Sequence, residues 1–483
     1  MSTAAACPVV DRVVRTAARH PEHTAVVTAH GRLTYRDLVR QVERWRDRCA
    51  SSGLPPGSLV AVPAGDGEAL PAAFLGVRAA GLVPLLVDDR QPTRAADVLA
   101  AGRPAAVLRV ETGEIEPTGA PDGRSLPAGA GYVVFSSGSQ GTPKGIVGSA
   151  AGLLAFIDWE IGELGLAPGT RVAMLTSPAF DVVYRDLLLP LCSGGELHIA
   201  APAVRTVPAA VLPWLAEHAI EVVHAVPSLS ARWLADAPST TVDSLRHTLF
   251  AGEPLYGRHV RRWRRAAPST RVVNLYGPSE TTLAKFGYEV PDECDPGLQP
   301  VGKPLPGTAV TFDDIASSGT TDFRQVVITT PDGSLGYLPD TCSDDDLDRL
   351  RRADGVTRFR TSDRGRVDDG SNLVIAGRVD SLVKRRGTFV DLARVEAAAT
   401  ALPAVRAACC VQLTTSDVVL VVEGPSPDAA AGLRRPLHAA LGSDMPDRVL
   451  AVPALPLLPG GKADRRGIEE LLNLEVADDG RAP

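Results

Sequence analysis

Apolar residues recur at helical spacing over residues 9–19 and 36–50, and the two amphipathic helices this predicts flank a short strand at 24–27 and a turn at His30-Gly31. Short apolar runs then alternate with longer helical stretches. Residues 59–62, 68–80 and 82–87 read as strand, helix and strand, as do 171–175, 182–192 and 196–199. Such units predict parallel pairs. Their repetition over roughly the first 300 residues predicts doubly wound α/β sheets, with ligands beyond the carboxyl ends of the strands. Residues 312–322 and 340–354 are acidic and lack periodicity, and are expected to be exposed connections. From about residue 377 a smaller α+β unit is expected, with strands at 407–413, 418–422 and 448–452, a helix at 428–441, and a polar tail that frays from Val476. There is no internal repeat.

One apolar run, Tyr132-Val133-Val134-Phe135, feeds a stretch of a different kind: Ser136, Ser137, Gly138, Ser139, Gln140, Gly141, Thr142, Pro143, Lys144, Gly145. Glycines let backbone amides converge on an anion, hydroxyls add donors, and Lys144 adds a point charge. A triphosphate is the expected guest, against the plainer alternative of a solvated turn. The P-loop of the NTPases does not fit, because it needs Gly-Lys-Ser/Thr opening a helix and here Pro143 precedes the lysine. The stretch resembles instead the phosphate loop of the adenylate-forming superfamily, with Gln140 as the one departure.

Asn274-Leu275-Tyr276-Gly277-Pro278-Ser279-Glu280 follows another strand. A carboxylate beside a triphosphate is repelled unless a hard cation lies between them, and Mg²⁺ bound by one carboxylate plus substrate oxygens is the usual arrangement. Glu280 is therefore the magnesium candidate and Tyr276 a stacking surface. This stretch also resembles a motif of the same superfamily. The remaining assignments are what that resemblance implies. Gly252, Glu253 and Pro254, with Asn274, Tyr276, Gly277 and Ser279, bind ATP. Asp363 of Thr361-Ser362-Asp363 takes the ribose hydroxyls with Arg378 nearby, and Asp380 is a hinge. Lys462 of Pro459-Gly460-Gly461-Lys462 is the catalytic lysine at the reacting carboxylate. The implied architecture is a large core domain over 1–376, with doubly wound sheets and a β-subdomain, and a small mobile α+β lid over 377–483.

Within the superfamily the chain resembles the amino-acid-activating adenylation domains of nonribosomal peptide synthesis. The sign is Phe180-Asp181, since this branch sets an aspartate against the substrate ammonium; a helix cap is the alternative role for Asp181. Spacing from the motifs carries over a pocket of Asp181, Val182, Arg185, His224, Leu249, Ala251, Leu275, Leu283 and Ala284. Arg185 and His224 in an apolar wall suit an acidic or strongly polar amino acid. The alternative is that Arg185 bridges to Asp181 or Asp186 and closes the pocket. The resemblance implies ATP and Mg²⁺, an aminoacyl-AMP, and transfer to the phosphopantetheine arm of a separate carrier protein in natural-product biosynthesis. An acyl- or aryl-CoA ligase and a non-catalytic adenylate-binding scaffold are the alternatives. No carrier attachment signature follows Lys462, so a free-standing enzyme is expected.

Charge and cysteine usage narrow the classes. A formal charge of -7 disfavours nucleic acid as a partner. Seven cysteines, with no C-x-x-C, argue against a disulfide framework or a zinc site and for a reducing cytoplasm. No run reaches the roughly 18 apolar residues that span a bilayer, so neither a membrane anchor nor an export signal is expected. Only Lys144, Lys285, Lys303, Lys384 and Lys462 are lysines among 50 basic residues. Each is the more conspicuous for it.

Overall fold

The computed structural model of the protein describes residues 7–65, 67–110, 112–119, 125–137, 143–315, 322–385, 388–424, 429–457 and 463–479. The chain divides into two compact units, Met1–Thr311 with Val327–Thr361, and Phe312–Val326 with Ser362–Pro483.

The first unit carries both predicted strand-helix-strand repeats. Leu59–Pro63 and Val83–Val87 pair in parallel across the helix Leu70–Ala79, and Arg171–Met174 pairs in parallel with Glu196–Ile199 across the helix Val182–Ser193. The latter pair belongs to a nine-stranded sheet. Its parallel centre runs, in spatial order, Arg271–Tyr276, His247–Ala251, Val222–Ala225, Arg171–Met174, Glu196–Ile199 and Thr24–Thr28. Both faces are covered, which is why the middle residues of these strands are predominantly apolar and buried. Val222, Leu249 and Val273 enter one core cluster, while Val223, Phe250 and Val272 enter another around Trp263. The strand order reverses at Arg171–Met174, with Glu196–Ile199 on one side and Val222–Ala225 on the other. Such a switch point opens a crevice at the carboxyl ends.

The second sheet has seven strands. In it Ala130–Ser137 and Pro143–Ser149 form an antiparallel pair, in register Ser136 opposite Lys144. Residues 340–354 are not the bare connection their acidity predicted. Asp344–Arg349 is a helix and Leu350–Ala353 a strand. The reason is a capping box: Ser343 accepts from the Asp346 amide, and Asp346 accepts from the backbone amide and hydroxyl of Ser343.

In the second unit a three-stranded sheet of Ala407–Gln412, Val418–Glu423 and Arg448–Val452 matches the predicted strands. Val418, Leu420 and Val422 pack toward Leu433 and Leu437 of the helix Ala429–Leu441, while Val419 and Val421 pack toward Ile468 and Leu472. Those two residues lie on the helix Arg465–Asp479, which continues through the expected fraying point. The strand Val356–Val367 begins in the first unit and ends in the second, where it pairs with Leu373–Arg378.

Gly152, in the helix Ala150–Leu164, has no room for a side chain: a Cβ there falls 2.3 Å from the backbone oxygen of Asp332. Glycine to alanine ordinarily stabilises a helix interior by about 1 kcal/mol. Gly152→Ala is expected to reverse that sign and cost about 1–3 kcal/mol by overpacking. A lower urea midpoint at unchanged slope is the expected readout, and a raised midpoint contradicts the packing.

Candidate active site

The switch point collects the predicted pocket. Asp181 immediately precedes the helix Val182–Ser193 that leaves the switch strand, and Arg185 lies one turn further on. Strand register brings in the rest: His224 is opposite Leu249, and Ala251 opposite Leu275, so alternation puts all four on one face. Leu283 and Ala284 are buried just beyond, with Thr282 and Leu283 at φ 61° and 58°. Two consecutive left-handed residues without glycine cost conformational energy. Lys285 steadies this turn, since its buried ammonium donates to the Thr282 carbonyl at 2.8 Å, and burial lowers its pKa to about 8.

Asp181 is 8% exposed and its side chain does not cap the helix. Burial raises its pKa, against the hydroxyl of Ser279 and the charge of Arg185, which act to lower it. Backbone amides of Val182 and of Asp181 itself act in the same lowering direction, yet burial prevails, so a cation beside the carboxylate would stabilise its charged form.

His224 is held elsewhere than expected. Its Nε2 lies 2.9 Å from Oε1 of Glu160, and its Nδ1 lies 3.0 Å from Oδ1 of Asp186 but off the hydrogen-bonding direction. Burial and Arg185 oppose protonation of the ring, yet the two carboxylates outweigh them and its pKa is raised. Burial likewise presses Asp186 upward, but His224, Arg185 and the Thr176 hydroxyl at 2.6 Å bring it below the usual carboxylate range. Arg185 comes within 3.5 Å of Asp186 through Nε and makes no hydrogen bond among the described residues. Glu160 was missed in the sequence, whereas Asp186 entered there as an alternative partner of Arg185, where the structure has it. The signal for Glu160 was there, as a charged residue on a largely apolar helix.

Glu280 lies in the short 3₁₀ turn Ser279–Thr281, partly buried, and accepts from the Tyr337 hydroxyl at 3.0 Å. Its pKa is raised by burial, with Asp181 raising and Lys144 lowering it further. The three motifs around 135–145, 181 and 274–280 therefore sit within electrostatic range of one another. Lys144 pairs with Asp346. Of the loop itself, Ser136 ends the first hairpin strand beside Ser137, and Gly138, Ser139, Gln140, Gly141 and Thr142 lie outside the described residues.

Other predicted nucleotide contacts have structural duties. Gly252 takes φ 87°, a conformation that favours glycine, and Glu253 accepts from the amide and hydroxyl of Ser228 at 3.0 Å each. Asn274 donates to the Pro300 carbonyl at 2.8 Å. Gly277 lies against the backbone of Leu283, where a Cβ would meet its oxygen at 2.4 Å. Tyr276 is partly buried beside Phe286, with ring centroids 5.8 Å apart. Pro254 and Val182 flank these residues. In the second unit Asp363 is in register with Arg378, 3.8 Å apart in charge, and Arg378 grips Asp380 with two bonds of 2.8 and 2.6 Å. Two motifs separated in sequence thus meet. Lys462 lies outside the described residues.

A family model described as AMP-binding enzyme matches residues 13–124 and 124–320. The chain belongs to this family. Its AMP-binding relatives include phenyloxazoline synthase MbtB of Mycobacterium sp. (strain MCS), 29% identical over 97% of this chain and 42% of that protein. Another is the L-proline:L-prolyl-carrier-protein ligase of Pseudomonas fluorescens, 25% identical over 94% of this chain and 97% of that one. The chain thus spans less than half of the first relative and nearly all of the second. Solved folds agree: a four-domain nonribosomal peptide synthetase bound to AMP and glycine superposes with a TM-score of 0.81 at 20% identity, over 95% of this chain and 36% of that one. A benzoate CoA ligase from Burkholderia xenovorans LB400 gives 0.81 at 20%, over 95% and 99%. The family consists of adenylate-forming ligases, and neighbours of both the peptide-synthetase and the CoA-ligase kind share this fold. No described helix is long and apolar enough to cross a membrane.

Within the candidate site, Glu280 is the residue whose chemistry would suit a magnesium ion. Among the described residues no cluster of three ligating side chains could hold a metal. Mg²⁺ takes one or two carboxylates and fills its remaining positions with water and phosphate oxygens, so the buried carboxylate of Glu280 is the group to test for fit. Glu280 would hold it, and a bound divalent charge offsets the cost of burying that carboxylate.

His224 supplies a pH test. Its folded pKa is raised, so its stabilisation is complete below the unfolded value, about 6.5, and is lost as pH climbs through the folded value. His224→Gln is expected to cost on the order of 3 kcal/mol at pH 6 by leaving Glu160 and Asp186 short of a charge. It should also abolish that alkaline loss in denaturant titrations. A wild-type curve without the step refutes the imidazolium assignment.

Proposed function

We propose that the protein uses ATP to activate an amino acid as aminoacyl-AMP and passes it to the phosphopantetheine thiol of a carrier protein. The observation that carries this reading is Asp181, a buried carboxylate at a sheet switch point whose pKa burial pushes upward despite the donors and the guanidinium around it. An α-ammonium is the cation that relieves it. The P. fluorescens relative, which by its name loads a carrier protein and matches over 97% of its length, supports the carrier as acceptor.

In this reading the substrate carboxylate attacks the α-phosphorus of ATP, forming an acyl–phosphate bond as the bond to pyrophosphate breaks. Lys144 and the hairpin donors take the polyphosphate. Magnesium on Glu280 supplies neutralising charge when bound. Tyr276 offers the base a flat surface. The roles that the resemblance gives to Asp363, Arg378, Asp380 and Lys462, including the mobile lid, belong to the same proposal. Lys462, as an ammonium serving charge that develops only in the transition state, raises kcat selectively.

Charge arithmetic narrows the side chain. Glu160 and Asp186 already balance His224 and Arg185, so an added carboxylate would bury one net negative charge. Arg185 nonetheless has N–H groups to spare. The favoured substrate is an amino acid whose uncharged side chain bears a hydrogen-bond acceptor. This keeps the polar half of the sequence expectation and sets aside the acidic half, because His224 is already engaged.

ATP–pyrophosphate exchange across an amino-acid panel is expected to favour hydroxyl and amide side chains; turnover confined to Asp and Glu, or to small apolar residues, rejects this choice. Asp181→Ala is expected to lose about 10²-fold or more in kcat/KM, as truncation of a buried charge pair does. Little change there favours a carboxylic acid without an ammonium, handed to coenzyme A. The amino-acid KM is expected to rise on acidification through the raised pKa of Asp181, where the carboxylate takes up a proton. Lys462→Ala is expected to lower exchange on the order of 10²-fold, and an unaltered rate points to the scaffold alternative.

A further inference from the structure

The lysine that the proposed function gives to the polyphosphate already has an anionic partner. Lys144 Nζ pairs with Oδ1 of Asp346, with side-chain exposures of 21% and 8%. The other carboxylate oxygen, Oδ2, is taken by the amide and the hydroxyl of Ser343 at 3.0 and 2.8 Å. The two bonds fix the carboxylate in the first turn of the helix Asp344–Arg349. That helix is in turn fixed to the strand carrying Lys144. The amides of Leu335 and Leu338 donate to the carbonyls of Val147 and Gly145 at 2.8 and 2.7 Å, and the Gly145 amide donates to the Thr341 hydroxyl at 3.0 Å. Asp346 therefore cannot follow if the lysine moves. The lysine can leave, because its charge sits on a flexible four-carbon stem.

We propose that Asp346 is a built-in competitor for the polyphosphate: its carboxylate occupies Lys144 in the empty enzyme and is displaced when nucleotide binds, so that it sets the affinity for ATP. The inference rests on the proposed nucleotide role of Lys144, and it assigns a residue that no motif assigned. Asp346 holds its charge across the working pH range. Burial raises its pKa, but Lys144 and the Ser343 bonds more than reverse this, leaving it below the usual carboxylate range. A phosphate chain of higher charge wins the lysine, at the cost of the pair it breaks. A neutral residue at 346 removes that cost. It acts on binding, before the chemical step, so KM for ATP falls while kcat stays put.

The test is MgATP and tripolyphosphate binding by titration calorimetry, without amino acid, on the full chain. Asp346→Asn retains an acceptor for Ser343 and is expected to bind both ligands about three- to tenfold tighter. The gain should vanish in a Lys144→Met background, where there is no ammonium to compete for. Ser343→Ala, which removes a capping hydroxyl and keeps the charge, is expected to leave affinity near wild type. Asp346→Ser serves as a second neutral replacement should the asparagine variant melt early. Unchanged or weaker binding in both neutral variants overturns the proposal. So does a gain that survives in Lys144→Met, a matching gain in Ser343→Ala, or no binding of either ligand by any form. Exchange activity is read separately: if no amino acid supports it while the binding differences stand, the ligase reading fails and the competitor role remains.

Discussion

The structure turns on the burial of carboxylates at one end of a parallel sheet. Asp181, Asp186, Glu160 and Glu280 all enter a region where an uncompensated charge costs several kcal/mol. Each is answered differently. Glu160 and Asp186 share His224, Asp186 also faces Arg185, and Glu280 accepts from Tyr337. Asp181 meets the Ser279 hydroxyl, the Arg185 guanidinium and backbone amides at the helix start, and burial still raises its pKa. Glu160 and Asp186 are compensated within the chain, whereas burial still raises the pKa of Asp181 and of Glu280, the two carboxylates for which the proposed function names a cation.

The sheet makes this possible. Side chains that emerge at carboxyl ends next to a strand reversal have no covering helix directly above them, so polar groups can converge there without dismantling the core. His224, Leu249, Ala251 and Leu275 share a face because parallel register fixes their alternation. The same register sends Val223, Phe250 and Val272 to the opposite cluster. The two faces of these strands feed two core clusters, and the predicted pocket positions lie on the face of the first. A change to either face is felt through the other.

Much of this was legible in the sequence, and the parts that were not have physical reasons. Apolar periodicity located the strands at 59–63, 171–174 and 418–423 to within a residue or two, since both-face burial leaves a clear run. Motif spacing likewise brought Asp181 to the switch point and Asp363 to Arg378. What spacing cannot reveal is partnership between distant residues. Glu160 lies 64 residues from His224, and Asp346 lies 202 from Lys144. Their meeting depends on strand order and on one capping box. The acidic segment 340–354 was misjudged for the same reason: its Ser343–Asp346 box is a local helix signal, but low apolar content concealed it. The sequence reading also took His224 for a free cation, because isolated residues carry no record of who neutralises them.

The scarcity of lysine acquires a meaning in this setting. Arginine, which binds carboxylates through a rigid two-pronged fork, serves where a partner is permanent, as Arg378 does on Asp380 with two bonds. Lysine carries a compact charge that rotates freely and gives up one partner for another at smaller geometric cost. At position 144 that difference bears on the proposed exchange of Asp346 for phosphate, which a compact ammonium makes with less rearrangement than a guanidinium would. At position 285 a single buried ammonium reaches the Thr282 carbonyl at 2.8 Å.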